Sequence, residues 1–215
     1  MSKQSRAVAL ETTTSLTART RLPRAQREQQ LLDVAMRLFM ENGYQGTSIE
    51  DIAGAAGVTR PIVYNHFGSK DGIYLACLRR ASSELDRRIR DSSSQETTAE
   101  GQLRGGLDGY FQFVERDRMF WGILFGGGAA VAGTAAAEAS RLREESLGGI
   151  SELLAGMSGN SLKPETLEAY AQATFGAGEQ LAKWWLMHPD VKRHQVVDYM
   201  MNFAWQGLQQ LAMFL

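Results

Sequence analysis

The 215-residue chain is poor in the residue types that build reactive sites: one cysteine, three histidines and four prolines. Cys77 cannot close an internal disulfide and reads as a small buried side chain on a helix. His188 and His194 lie six apart across Pro189 and share no helical face, and His66 is far from both, so no histidine metal site is expected. Catalysis needs a nucleophile-base pair, a metal cluster or a phosphate cradle. The expectation is therefore no catalytic residues, no metal and no cofactor, and not an enzyme. Long hydrophobic runs are missing too. Although 44% of residues are hydrophobic, no apolar run reaches the roughly 18 residues of a membrane span. Residues 1–20 are polar and threonine-rich where a secretory signal carries an apolar core, which points to a cytoplasmic location without a membrane partner. Gly126-Gly127-Gly128 follows no strand and precedes no Lys-Ser/Thr pair, so it reads as a loop between helices and not as a phosphate cradle.

What is present is concentrated in residues 47–70, TSIEDIAGAAGVTRPIVYNHFGSK. Thr47-Ser48-Ile49-Glu50 has the form of a capping box, so a helix is expected from about Ser48. Ile49, Ile52, Ala53 and Ala56 recur at helical spacing and give it a narrow apolar face of small residues. Gly57 ends it, because only glycine enters positive φ without steric cost. Val58 fills the space between two helices, Thr59 is read as the cap of the next, and Pro61 sits in its first turn, where a missing amide proton costs little. That second helix runs from about Arg60 to Phe67. Val63 and Phe67 are four apart and should turn inward, leaving Arg60, Pro61, Ile62, Asn65 and His66 outward with Tyr64 at the edge.

Two short helices around a tight turn, the second with that outer face, describe a DNA-reading helix-turn-helix. Arg60 can pair bidentately with guanine and Asn65 with adenine, while Pro61 and Ile62 can touch thymine methyls. Tyr64, His66 and Lys70 suit phosphates, which position a protein without reading sequence. Ser69 caps the following helix, whose amino end favours a phosphate. Thr47, Ser48 and Thr59 complete the candidate DNA-binding set. From Arg27 to about Leu78 the chain resembles the amino-terminal domain of the TetR/AcrR family of bacterial transcriptional regulators, on LLDVAMRLFMENGY, TSIEDIAGAAGV and TRPIVYNHFGSK. It departs from the family's pattern at Asn65, where an arginine or aromatic is common, and at Gly72, where a longer residue is; both bear on which operator is read.

Charge follows the same division. Residues 1–90 carry 14 Lys/Arg against 9 Asp/Glu, and residues 91–215 carry 9 against 15, although the net charge is only −1. The basic part holds the helix-turn-helix, where phosphates would be met. The expected organisation is all-α: a flexible basic tail over 1–22, a DNA-binding domain over 23–90 and a helical ligand-binding and dimerisation domain over 91–215. The tail carries Lys3, Arg6, Arg19 and Arg21 and either reaches a minor groove or is inert. A first helix is expected over about 24–41 and a fourth over about 70–90, followed by the linker DSSSQETTAEG; further helices are expected at about 101–116, 118–126, 134–157, 164–187 and 190–213.

The last helix carries a wide apolar stripe, Val196, Met200, Phe203, Ala204, Leu208 and Leu211, more than one subunit core requires. In the resembled family the last two helices pair with those of a second subunit, which implies a homodimer here with that stripe as interface. A two-fold dimer places two reading helices about 34–36 Å apart, one turn of double-stranded DNA. A small-molecule effector would bind among the central helices, and the candidates are Phe111, Met119, Trp121, Phe125, Tyr170, Phe175, Glu179 and Trp184. Glu179 either holds a polar group of that ligand or pairs with Lys183 one turn on. Mostly apolar walls imply an apolar or aromatic ligand that releases a repressor from its operator. A ligand-independent or architectural DNA-binding protein is the alternative, and a closed core without a cavity would favour it.

Overall fold

The computed structural model describes residues 22–125, 134–157 and 162–212, and these form helices without a strand. The basic tail and the Gly126–Gly128 loop of the sequence reading lie outside the described residues. Four helices make the amino-terminal part: α1 (Arg24–Asn42), α2 (Ile49–Ala56), α3 (Arg60–Phe67) and α4 (Lys70–Ser93). Five follow: α5 (Ala99–Arg116), α6 (Arg118–Phe125), α7 (Thr134–Met157), α8 (Pro164–Leu186) and α9 (Arg193–Ala212).

Local chemistry sets most boundaries. Gly57 ends α2 at φ 65 and ψ 36, a left-handed conformation in which any Cβ is strained. The cap of α2 differs from the expectation by one residue. Ser48, not Thr47, is the N-cap: its Oγ accepts from the Asp51 amide at 3.1 Å, and the Asp51 carboxylate accepts from the Ser48 amide at 2.8 Å. Thr47 is 1% exposed, and its hydroxyl lies 2.9 Å from the Gly43 carbonyl and 3.1 Å from that of Leu38, so it secures the end of α1. Thr59 precedes α3 without a side-chain capping bond, whereas Ser69 accepts from the Gly72 amide at 2.9 Å as expected. A Cβ on Gly72 would run into the Phe67 carbonyl oxygen, so the departure from the family pattern matches a close approach of α4 to the end of α3.

Two hydrophobic clusters result. The first joins Leu31, Ala35 and Met36 of α1, Ile52 of α2, Val63 of α3, and Ile73, Cys77 and Leu78 of α4, each 1% exposed or less. Burial pushes the Cys77 thiol up to about 12, so it is neutral and unreactive at physiological pH. The second cluster joins Phe111, Phe113 and Val114 of α5, Trp121 of α6, Ala182 and Trp185 of α8, and Val196 and Met200 of α9. α4 belongs to both: its first half packs in the first cluster, and its Leu85 packs in the second with Ile89 against it. Glycines on α5 let it lie directly against α4, since a Cβ at Gly109 would stand 2.6 Å from the Arg88 carbonyl oxygen and one at Gly105 2.6 Å from that of Ser92. The segment read as a linker is thus mostly helix; only 94–98 separates α4 from α5. Likewise Pro189 precedes α9 instead of entering its first turn: α9 starts at Arg193, after a turn held by the Trp185 Nε1 bond to the Val191 carbonyl at 2.8 Å.

Candidate DNA-reading face and ligand cavity

On α3 the structure exposes Arg60, Pro61, Tyr64 and Asn65, and beside it Thr59 and Ser69. It turns two expected outward residues inward. Ile62 is half-buried against the first cluster. The His66 side chain is only 9% exposed, with Nδ1 3.8 Å from the Glu28 carboxylate of α1 and no hydrogen-bond partner. Thr47 is buried as described, and the Ser48 hydroxyl is engaged in its cap. The outward set therefore narrows because α3 packs against α2 and α4 and turns His66 toward Glu28 of α1.

The same region holds two partnerships that helical spacing does not reveal. Arg60 pairs with Glu50 of α2 at 2.8 Å, and both side chains are more than half exposed. A surface pair of this kind contributes about 0–1 kcal/mol, so a base or phosphate can compete for the guanidinium. Glu50 is free for it because Asp51 completes the capping box. Lys70 places its ammonium 4.3 Å over the ring of Tyr44, whose hydroxyl donates to the Asp71 carboxylate. Burial, with the Asp71 bond next, pushes the Tyr44 hydroxyl up to about 12. Tyr44 was missed in the sequence, where nothing local connects it to a residue 27 positions on.

A cavity of about 570 Å³ lies among α4, α5, α7 and α8, with Phe125 of α6 also on its wall. Of the candidate ligand residues, Phe125, Phe175 and Glu179 line it. Phe111 is fully buried with its ring edge-on to Trp185, and Trp121 donates through Nε1 to the Tyr110 hydroxyl at 3.1 Å; both are core. Met119 and Trp184 are exposed, and Tyr170 packs against the second cluster without reaching the cavity wall. Glu179 is ion-paired with Lys183 at 2.6 Å. The α4 contribution, including Asp86, Ile89 and Arg90, was missed, as was Tyr110 of α5. Burial drives the Tyr110 hydroxyl far above its ordinary range.

The apolar stripe of α9 divides between its two sides. Val196 and Met200 are 0% and 1% exposed and Ala204 is buried with them, so these three face their own subunit's core. Phe203 is 72% exposed and Met187 73%, and Tyr199 and Trp184 extend the same open surface. The Leu208 and Leu211 side chains lie outside the described residues.

Comparison with known proteins agrees with this architecture. Residues 31–77 match the model for bacterial regulatory proteins of the tetR family, and residues 99–207 match the tetracyclin repressor-like C-terminal domain. The chain is 29% identical over 192 residues to the HTH-type transcriptional activator FasR of Mycolicibacterium smegmatis, covering 89% of this chain and 87% of that protein. Over 83 residues, 39% of this chain and 38% of that protein, it is 34% identical to the HTH-type transcriptional repressor ComR of Escherichia coli. A TetR-like transcriptional regulator from Rhodococcus sp. RHA1 superposes with a TM-score of 0.71 at 29% identity, over 88% of this chain and 99% of that one. A capped helix-turn-helix on a helical body, matched by both family models across most of its length, places this chain in the TetR family: it is a DNA-binding transcriptional regulator and not an enzyme.

Proposed function

We propose that this protein is a homodimeric repressor that reads its operator through α3 and is released from it by a small apolar or aromatic effector. The observation that carries the reading is the position of the cavity. It is lined by the second half of α4, whose first half packs beneath the reading helices, so a ligand that alters the angle of α4 alters the placement of α3. In a two-fold dimer the two readers must match half-sites about 34–36 Å apart. An effector that prefers a dimer with another spacing releases DNA by its difference in affinity for the two states. A cavity of about 570 Å³ with mostly apolar walls supports this sensor over a ligand-independent or architectural regulator. The open surface of Met187, Tyr199 and Phe203 supports the dimer, since large apolar side chains clustered on a surface mark an interface.

In this reading Arg60, Pro61, Tyr64 and Asn65 meet base edges or the adjoining backbone, and Ser69 and Lys70 meet phosphates. The likeness to FasR, named an activator, favours a second sense of regulation. Occupancy of an operator represses or activates according to where the site lies relative to the promoter. The first test is a mobility shift on the DNA upstream of the protein's own gene, at physiological salt with excess random competitor. A discrete, competitor-resistant complex is expected, and only competitor-sensitive smearing would count against a self-regulated operator. A promoter fusion then gives the sign: reporter output that rises when the gene is deleted supports repression, and output that falls supports activation.

A further inference from the structure

We infer that the cavity takes an amphiphile with a protonated amine head, seated against Asp86 and Glu145 with its apolar body extending along α4. The inference rests on the reading of this cavity as the effector site. α4 and α7 run side by side in the same direction with a constant offset: Arg79 meets Glu138 at 2.7 Å, and two turns further Asp86 and Glu145 come within electrostatic reach of each other on the cavity wall. The cavity thus has a near end at Asp86, toward the reading domain, and a far end at Ser93, Ser94 and Gln102. These ends stand roughly 10 Å apart by the rise of an α-helix.

The two ends differ chemically. The far end offers hydroxyl and amide groups, with the Ser93 hydroxyl already donating to the Gln102 carbonyl at 3.0 Å. The near end carries the carboxylates Asp86 and Glu145, with the Arg90 guanidinium one turn from Asp86 on the same wall. Glu145 is paired with Arg141 outside the cavity and Glu179 with Lys183, so their charges are answered locally. Asp86 is not: it is half-buried and makes no hydrogen bond or ion pair among the described residues. Burial pushes the Asp86 carboxyl up; Arg90 one turn on opposes it, and Glu145 adds to it by less. A carboxylate removed from water without a donor is costly, and a ligand that brings an ammonium to it removes that cost. A carboxylate head placed there would add a like charge instead. Between the ends, Leu103, Leu107, Ile150 and Phe175 give the body apolar contact that selects no charge.

The test uses three probes with one twelve-carbon tail, dodecylammonium, dodecanol and dodecanoate, titrated calorimetrically below their micelle concentrations into the full chain at neutral pH. Dodecylammonium should bind about tenfold or more tighter than dodecanoate, the factor that a charge pair in a partly desolvated site supplies. Asp86→Asn should cut that preference to under about threefold, read as a ratio within the variant so that a general loss of affinity cannot imitate it. Glu145 is exposed, so Glu145→Gln leaves the fold intact and should lower the preference by a smaller factor. Equal or tighter binding of dodecanoate, or a preference that survives Asp86→Asn, overturns the inference while leaving the cavity as an effector site. No binding by any of the three overturns both.

Discussion

The two hydrophobic clusters of this molecule are packed to different ends. The first is mainly aliphatic, built from leucine, isoleucine, valine, alanine and methionine around Cys77 with Phe39 and Tyr74 meeting edge-on at its side, and its short helices are closed by a serine box and positive-φ glycines. None of its buried side chains lines the cavity. The second is richer in rings, with Phe111 edge-on to Trp185 and Phe125 tilted against Phe175 among its aliphatic side chains, and it leaves a void. A void of that size is room for a ligand, whereas helices that present a few side chains at fixed spacing are best held by a closed core. α4 belongs to both clusters, so its packing against α5 is where the two requirements meet.

That junction is the place to break the comparison with the largest effect. Gly109→Val would drive a side chain into the Arg88 carbonyl, a backbone atom that cannot rotate away. A destabilisation of about 3 kcal/mol is expected by denaturant titration, at the upper end for overpacked cores. A midpoint within error of the unsubstituted protein would mean that α5 does not approach α4 so closely. Next in size is the contrast across α9. Phe203→Glu should weaken dimerisation about thirtyfold or more, the weight of a central interface residue, with the fold retained; Met200→Glu, aimed into the subunit core, should unfold the chain. Sedimentation velocity on both separates the outcomes, and a Phe203→Glu protein that remains dimeric would move the interface elsewhere.

Inside the reading domain the sharper comparison is between two cations. Arg60→Ala should cost about 1–3 kcal/mol on the cognate operator and relax preference at one base pair, whereas Lys70→Ala should weaken every duplex and lower the salt slope by roughly one unit. Equal losses for Arg60→Ala on cognate and random DNA would remove it from the base readers.

These expectations also mark how far the sequence reached. Helix bounds were legible to within about two residues for most elements, because caps, glycines and prolines act through neighbours in the chain. Where two residues could serve, local chemistry did not choose: Thr47 and Ser48 both suit an N-cap, and the decision came from the Leu38 and Gly43 carbonyls waiting for Thr47. Periodicity identified an apolar stripe on α9 but not which part is buried, since Met200 and Phe203 differ in exposure and not in hydrophobicity. The cavity was less legible still. A void belongs to the packing of four helices, and Phe111 and Phe125 carry the same ring into the core and onto the cavity wall.

Acid sensitivity sharpens the comparison through two carboxylates, Glu138, which ties α7 to α4, and Glu84, which pairs within α4. Hydrogen bonds from Arg141 and Arg79 hold Glu138 down at about 2, and Arg87 with Arg88 does the same for Glu84. A carboxyl whose folded value lies below its ordinary 4.5 adds stability above that value and loses it as pH falls toward about 2. Melting temperature should therefore fall over that window. Glu138→Gln, which removes one titrating group between α7 and α4, should make the fall shallower; an unchanged slope would show that the pair is fully screened by solvent.

The smallest expected effect lies on α2, at Gly54. Open space surrounds the position where its Cβ would stand, in contrast with Gly109, so alanine relieves the entropic cost of a mid-helix glycine without meeting anything. Gly54→Ala should stabilise by about 0.5–1 kcal/mol, a rise of roughly 1–4 °C in melting temperature. The result is informative when operator affinity is measured beside it. A gain in stability with unchanged affinity leaves α2 as a support for α3. A gain in stability with a loss of affinity would mean that the open space over Gly54 is where the duplex comes to lie, and that the helix-turn-helix meets DNA with both of its helices.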